Sequence, residues 1–447
     1  MDMPKPLANL ITQARQTSRV GGARVFQLKA TLITPKEQIP LIIPTGFARL
    51  SLFAMNHADD AQIRGNLQPS VYMNRILPHR DNLFIEVVEV GITASVVTRY
   101  RAIPLGNTNP EMIGQNTAMN NLEALDANNI MTVTFQLIEP GFDQLKNQFA
   151  SSSVFYMGKL DDIIHDQLTA AGSKLTLTNA DRWRGVDMEL PIDNTRVFKQ
   201  VIIPQGTKLI KVPEFLQTDD HYGVYSKGMG SYYRKGMWYI YPLFKLGRHA
   251  NARKALDIYR LPENVFPSLT ESFYQNDRLI TVLSTGGATH QDNTDIDRQN
   301  DGTGKRVINP DALSGEAGYY YGRGTAVTTR QDSVSEYRTA ERASGQDIVP
   351  FHDKPTANVC AVMSRNALND GEVITVDWHN SFGLLIEPGM PVKLYYMSQG
   401  DRIMVREGTV LAIRTEYVKD DQNTKTSFRE NSKIELFLTK RSAPASV

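Results

Sequence analysis

Apolar and polar residues alternate with period two in four separate runs of the first third of the chain. These runs are Phe26–Leu32, Leu83–Val90, Val96–Ile103 and Met131–Leu137. Such alternation predicts strands with one buried and one exposed face. Turn-forming stretches, among them Arg80-Asp81-Asn82 and Pro104-Leu105-Gly106-Asn107, separate them. A short helix is predicted over Leu7–Arg15, ahead of the strands, and no helix alternates with them. That arrangement favours an antiparallel barrel or sandwich over a parallel sheet.

The period changes near residue 145. Over Lys159–Ala171, Leu160, Ile163, Ile164 and Leu168 share one helical face, with Gly172 as the expected C-cap. A second short helix is predicted from Pro213, a residue favoured in a first helical turn, to Gln217. Val197–Ile203 reads as a strand between them. Tyr222, Tyr225, Tyr232, Tyr233, Trp238, Tyr239, Tyr241 and Phe244 then crowd into one hairpin-like stretch. Residues 285–350 hold few apolar positions and read as a long polar loop. Such a loop is a lid, a disordered stretch or an arm that orders against a neighbouring subunit. Strands return at Val373–Trp378, Val392–Met397, Ile403–Arg406, Thr409–Val418 and Ile434–Leu438. The expected fold is mainly β with an α+β insert. Two tube-like antiparallel β-barrel domains, over 1–145 and 251–447, flank a small α+β domain over 146–250.

Length and composition fit this division. A chain of 447 residues is too long for one ordinary domain and suggests two to four. Hydrophobic residues at 41% against 22% charged supply real cores and argue against global disorder. Lys+Arg 49 and Asp+Glu 48 give a net charge of +1, so the chain as a whole is not steered toward nucleic acid. No specific nucleic-acid partner is expected. Nowhere do about 18 apolar residues run together, so no membrane insertion is expected. Met1-Asp2-Met3-Pro4-Lys5-Pro6 is not followed by an apolar core, so no signal peptide is expected. Cys360 is the only cysteine and has no internal disulfide partner, which points to folding in a reducing cytosol. It lies in the apolar run Val359–Met363, which reads as a buried strand, and a reactive thiolate needs a more electropositive and exposed setting.

Each candidate for chemistry fails at a named position. The eight histidines show no His-x-x-x-His spacing that would place two ligands on one helical face. Asp377-Trp378-His379 puts an acid and an imidazole on one face of a strand, but reads as a strand end. Gly302-Thr303-Gly304-Lys305-Arg306 resembles part of a phosphate-binding loop, yet Gln299 stands where the first glycine belongs and Arg306 where a Ser or Thr would bind Mg²⁺. Asp292, Asp295, Asp297 and Asp301 suggest a calcium loop, but Ile308 occupies the position of the bidentate Glu. Asp161-Asp162 and Asp219-Asp220 are adjacent, so they point apart in a regular element. The aromatic stretch from Tyr222 to Phe244, interleaved with Lys227, Arg234 and Lys235, reads as packing or a subunit interface, with ligand stacking the alternative. No catalytic, cofactor-binding or metal residues are assigned, no cofactor is expected, and an enzyme is not expected.

Two stretches carry a resemblance. The first joins Val197–Pro204, Pro213-Glu214-Phe215-Leu216-Gln217, Tyr222-Gly223-Val224-Tyr225 and Met237-Trp238-Tyr239-Ile240-Tyr241-Pro242-Leu243. It is similar to the small α+β domain of contractile-tail baseplate hub proteins of bacteriophages, and of the related type VI secretion spike proteins. The second runs from Leu384 through Pro388-Gly389-Met390 to Tyr396, then Glu407-Gly408-Thr409-Val410 and Ile434–Leu438. It resembles the second tube-like barrel of such hubs. The resemblance implies a homotrimer in which two barrels per subunit form a pseudo-sixfold ring, with edge strands pairing between neighbours. It implies partners among the tail tube, spike and baseplate wedge, and a place in the virion tail after assembly in the host cytoplasm. Another virion part (a tube initiator, wedge or adaptor) and a baseplate-associated cell-wall hydrolase are the alternatives.

Overall fold

The computed structural model describes residues 5–22, 24–41, 43–91, 95–105, 130–151, 154–191, 194, 196–219, 221–262, 271–290, 305–309, 327–329, 334–338, 347–349, 358–398, 402–419, 427–440 and 442–445. The opening helix α1 spans Lys5–Thr17. Strands β1 (Val20–Gly22), β2 (Val25–Ile33), β3 (Gln38–Pro40), β4 (Ile43–Leu52), β5 (Asp60–Leu67), β6 (Phe84–Gly91), β7 (Ser95–Leu105) and β8 (Met131–Ile138) follow. The four alternating runs are thus strands, and in β2 the apolar positions Phe26, Leu28, Ala30 and Leu32 all face inward. β4 and β5 escaped the pattern for local reasons. Pro44 and Gly46 flank a register shift in β4, while Ala61 and Gly65 dilute the inward face of β5.

The middle of the chain supplies α2 (Pro140–Leu145), β9 (Val154–Gly158), α3 (Leu160–Gly172), β10 (Gly185–Met188), β11 (Phe198–Ile202), α4 (Val212–Thr218), β12 (Met229–Arg234) and β13 (Met237–Pro242). Gly172 is the last helical residue of α3, and Ser173 takes the capping position. The final part contributes β14 (Ala255–Arg260), β15 (Phe273–Gln275), β16 (Leu279–His290), β17 (Lys305–Asn309), β18 (Val327–Thr329), β19 (Val334–Arg338) and β20 (Asp347–Val349). Then come α5 (Val359–Asn366), β21 (Gly371–Trp378), β22 (Pro391–Met397), β23 (Ile403–Lys419) and β24 (Ser427–Thr439).

Three expectations need correction. The run around Cys360 is a helix rather than a strand, because Asn358 caps it by accepting the Ala361 N–H at 2.9 Å. Five apolar residues in a row are too few to separate the two periods. The break expected at Glu407-Gly408, between Ile403–Arg406 and Thr409–Val418, does not exist, since β23 runs through it. Gly408 permits this by letting the chain pass close to β24: a Cβ there would lie 1.8 Å from the Phe437 carbonyl oxygen. The segment 285–350 is not a bare loop. β16 extends to His290, and β17–β20 form a small sheet in the order β18-β19-β17-β20.

The strand pairings close two barrels that share one hairpin. The first cycle runs β2-β6-β7-β8-β5-β4-β23-β24 and back to β2, all antiparallel. The second runs β14-β22-β23-β24-β21-β16 and back to β14, with two parallel pairings on either side of β14. β23 pairs with β22 up to Thr409 and with β4 from Ala412 onward. A bulge between Val410 and Ala412 marks the crossing, where the added residue re-aims the strand from one barrel to the other. The N-terminal barrel is therefore closed by strands from the far end of the chain. Conversely, β1 pairs with β15, and α1 packs Leu7 and Ile11 against Tyr259, Leu261, Tyr274 and Leu283 of the other barrel. Each barrel interior is a packed apolar core rather than a pore. Phe26, Phe47, Ile63, Phe135 and Phe428 fill the first, and Leu256, Val282, Trp378, Val392 and Phe437 belong to the second.

Candidate functional site

The β12–β13 hairpin is where both barrels and the α+β region meet. Its residues are strong strand formers, and Lys235-Gly236 closes it with φ of 51° and 75°, as a two-residue turn with left-handed central positions requires. The strand period then divides the aromatics between two cores. Tyr233, Trp238 and Ile240 face the α+β core with Ile164, Leu168 and Val201. Tyr232 and Tyr241 face the core of the second barrel. The hairpin is a wall common to both. Tyr225, Tyr232, Tyr233 and Trp238 are fully buried. Packing is thus the role of these rings, and stacking on a sugar or base is closed to them.

Hydrogen bonds tie this wall to the first barrel through the 53–59 loop between β4 and β5. The Tyr241 hydroxyl donates to the Phe53 carbonyl at 2.9 Å, Tyr232 to Asp59 Oδ1 at 2.8 Å, and the Tyr233 N–H to the His57 carbonyl at 2.7 Å. Glu139, just beyond β8, accepts the N–H groups of Lys235 and Gly236 at 2.9 and 2.7 Å. On the other side Arg234 donates to the Ile386 carbonyl, and Lys235 Nζ donates to that of Leu384 at 3.0 Å.

Buried charges of both signs run through the junction. Arg234 and Asp59 lie 3.3 Å apart. Burial pushes the Asp59 carboxyl up, but Arg234 and Arg49 outweigh it and hold it below its ordinary value. Burial drives Glu139 up to about 7 and Lys235 down to about 8. Between the barrels, Glu430 is likewise pushed up to about 7 by burial, against the opposing pull of Arg49. Glu430 accepts the Gly383 N–H, and Tyr417 donates to Glu89, whose other oxygen pairs with Arg24 at 2.8 Å. Unpaired buried charges are costly, so such a network holds the parts in one relative arrangement.

The two sequence stretches singled out above converge on one cavity of about 510 Å³. Tyr239, Ile240 and Tyr241 form one wall and Pro388-Gly389-Met390-Pro391 another. Arg248 pairs with Glu189 at 2.7 Å and donates to the Gly389 carbonyl at 2.8 Å and Thr409 Oγ1 at 3.0 Å. Lys254 pairs with Glu387. No serine, threonine, cysteine or histidine lines the cavity. Of the carboxylates that line it, Glu189 and Glu387 are engaged in ion pairs with Arg248 and Lys254.

No protein-family model matches the sequence, and no curated protein matches it either. Solved structures do. The crystal structure of the 43 kDa tail protein of prophage MuSo2 from Shewanella oneidensis is similar at 10% identity and a TM-score of 0.43, over 91% of this chain and 98% of that one. A tail protein from Neisseria meningitidis MC58 is similar at 10% identity and a TM-score of 0.45, over 92% and 96%. A Francisella PdpA–VgrG complex, half-lidded, is similar at 10% identity and a TM-score of 0.42, over 99% of this chain and 62% of that one. Scores below 0.5 leave function to be read from the geometry of the chain itself.

The remaining sequence candidates are scattered. Trp378 is buried and donates from Nε1 to the Ser272 carbonyl at 3.2 Å, while His379 lies exposed in the following turn. Lys305 and Arg306 open β17 rather than a phosphate loop, and Gly302–Gly304 lie outside the described residues, as do Asp292, Asp295, Asp297, Asp301 and Asp220. Asp161 is half-buried and raised by burial and by the charge of Asp162. Among the described residues no group of three or more His, Cys, Asp or Glu is placed to hold a metal ion. No helix among them is long and apolar enough to cross a membrane. A buried acid–histidine pair does exist where no motif signalled it. His249 Nε2 and Asp257 Oδ1 are 2.8 Å apart, brought together by the turn before β14. They are off-line for a hydrogen bond, and Arg278 fixes the turn by donating to the Ala250 and Ala252 carbonyls.

Proposed function

We propose that this chain is a structural part of a phage tail, the central hub of a contractile-tail baseplate that joins a hexameric tube to a trimeric spike. The observation that supports this is the pair of closed barrels fused through β23 and β24. One subunit then presents two wall units in a fixed relation, and three copies present six. Threefold symmetry is kept on one side and sixfold symmetry is approached on the other. Since both barrel interiors are packed, a channel would run between subunits rather than through a barrel. Because each barrel strand already has two neighbours, subunits would meet through faces and not by pairing barrel edges. The tube, spike and wedge proteins are the proposed partners, and the virion baseplate the proposed location. Native mass measurement of the purified chain, alone and with its spike partner, tests this. Three copies are expected, and a strict monomer or a six- or twelve-copy ring would overturn it.

A further inference from the structure

One end of the first barrel's core is charged. By the strand period Arg49 shares the inward face of β4 with Phe47, and Glu430 that of β24 with Phe428. Both are buried. Arg49 is the common neighbour of two carboxylates. Burial opposes its charge, but Tyr100, Tyr417, Asp59 and Glu430 outweigh burial and hold its pKa above the ordinary value. Among the described residues it is ion-paired to neither acid. Its hydrogen bond runs from Nη2 to the Tyr417 hydroxyl at 3.5 Å, and Nε and Nη1 have no partner. Glu430 is also half-served: Oε1 accepts the Gly383 N–H, and Oε2 has no partner. Buried polar atoms left unpaired are costly. A guanidinium with two free donors beside a carboxyl with a free oxygen is a pair that a side-chain movement can satisfy. Burial and, after it, the charge of Glu89 favour the proton on Glu430, against Arg49, the Gly383 N–H and Arg24.

We propose that Arg49 is a two-position relay, which stays with Asp59 while Glu430 carries its proton and moves to Glu430 Oε2 when the proton leaves. The two acids hold different parts of the junction, so the position of Arg49 decides which part is tight. Asp59 accepts from Tyr232 and pairs with Arg234, fixing the 53–59 loop to the β12–β13 hairpin. Glu430 fixes the turn between β21 and β22 through Gly383. Loss of the proton tightens that turn and loosens the loop, with Arg234 left to hold Asp59. The other charged or titratable groups on this space are Arg24, its partner Glu89 on β6, Tyr100 on β7 and Tyr417 on β23. Burial raises both tyrosines, Tyr100 to about 12, so they stay neutral across the range. On the hairpin side burial also shifts Glu139, Lys235 and His57, so the test isolates Glu430. The relay does not depend on the tail-hub reading.

Crystal structures of the full chain at pH 6 and pH 8.5 test it directly. The Arg49 guanidinium is expected within about 3 Å of the Glu430 carboxylate at pH 8.5 and apart from it at pH 6. Hydrogen exchange read by mass spectrometry, corrected for the intrinsic effect of pH, gives a second reading in solution. The amides of Ala54, Met55 and Asn56, and that of Tyr233 on the His57 carbonyl, report on the loop and its hold on the hairpin. They should exchange about tenfold faster at pH 8.5 than at pH 6 in the parent. Glu430→Gln, which cannot ionise, should show no such rise. Arg49 in one place at both pH values, no rise in the parent, or an equal rise in Glu430→Gln would each overturn the relay.

Discussion

Gly389 and Tyr241 touch so closely that a side chain at position 389 would enter the tyrosine ring, with a Cβ 2.2 Å from Cδ2. Gly389 also has φ of +65°. The Pro-Gly-Met turn and the aromatic hairpin, more than a hundred residues apart, therefore depend on one another. Gly389→Ala must bear both a left-handed backbone and an overpacked contact, and should destabilise by about 2–4 kcal/mol. Urea unfolding measures it, and Tyr241→Ala should cost less in the Gly389→Ala background than in the parent.

Arg234 and Asp59 join the hairpin to the first barrel across a buried 3.3 Å pair. Arg234→Met removes the nearer of the two cations that hold Asp59 ionised, leaving Arg49, and should cost about 3 kcal/mol. Adding Asp59→Asn should cost less than the sum of the two single changes. Denaturant titration of the four chains gives the coupling, and strict additivity would show that the pair does not act as a unit.

Glu430 and Glu139 predict an unusual pH dependence. Both carboxyls are raised by burial from 4.5 to about 7 in the folded chain. Between those values the folded state binds more protons than the unfolded one, so their contribution to stability falls as pH rises through that window. The upper bound is about 3 kcal/mol for each. Glu430→Gln should match the parent near pH 5 and exceed it at pH 8. Thermal unfolding at the two pH values reads the difference.

Cys360 should be inert in the native chain. It is fully buried in α5, where Asn194 Nδ2 lies 3.8 Å from its sulfur. A disulfide-exchange reagent should label no thiol in buffer and one thiol after unfolding in denaturant.

The elements that follow one period over seven or more residues were legible in the sequence: β2, β6, β7, β8 and α3. So was the hairpin, since tyrosine and tryptophan crowding has few other physical outlets. What could not be read was which strands share a sheet. Nothing local in Ile403–Lys419 signals that its two halves serve different barrels, because the bulge at Val410–Ala412 adds one residue without breaking the apolar run. The charged junction was equally hidden. Arg49, Asp59, Glu139 and Glu430 look like surface residues one by one, and only the pairing of β4, β8 and β24 buries them together. The sheet within 285–350 was missed because its strands are only three to five residues long.

The most direct measurement is the symmetry of the assembled ring in end-on electron-microscope class averages. The two-barrel subunit predicts threefold rings with six barrel-sized densities around a central channel. Particles with six or twelve copies per ring, or a chain that never leaves the monomer, would contradict it.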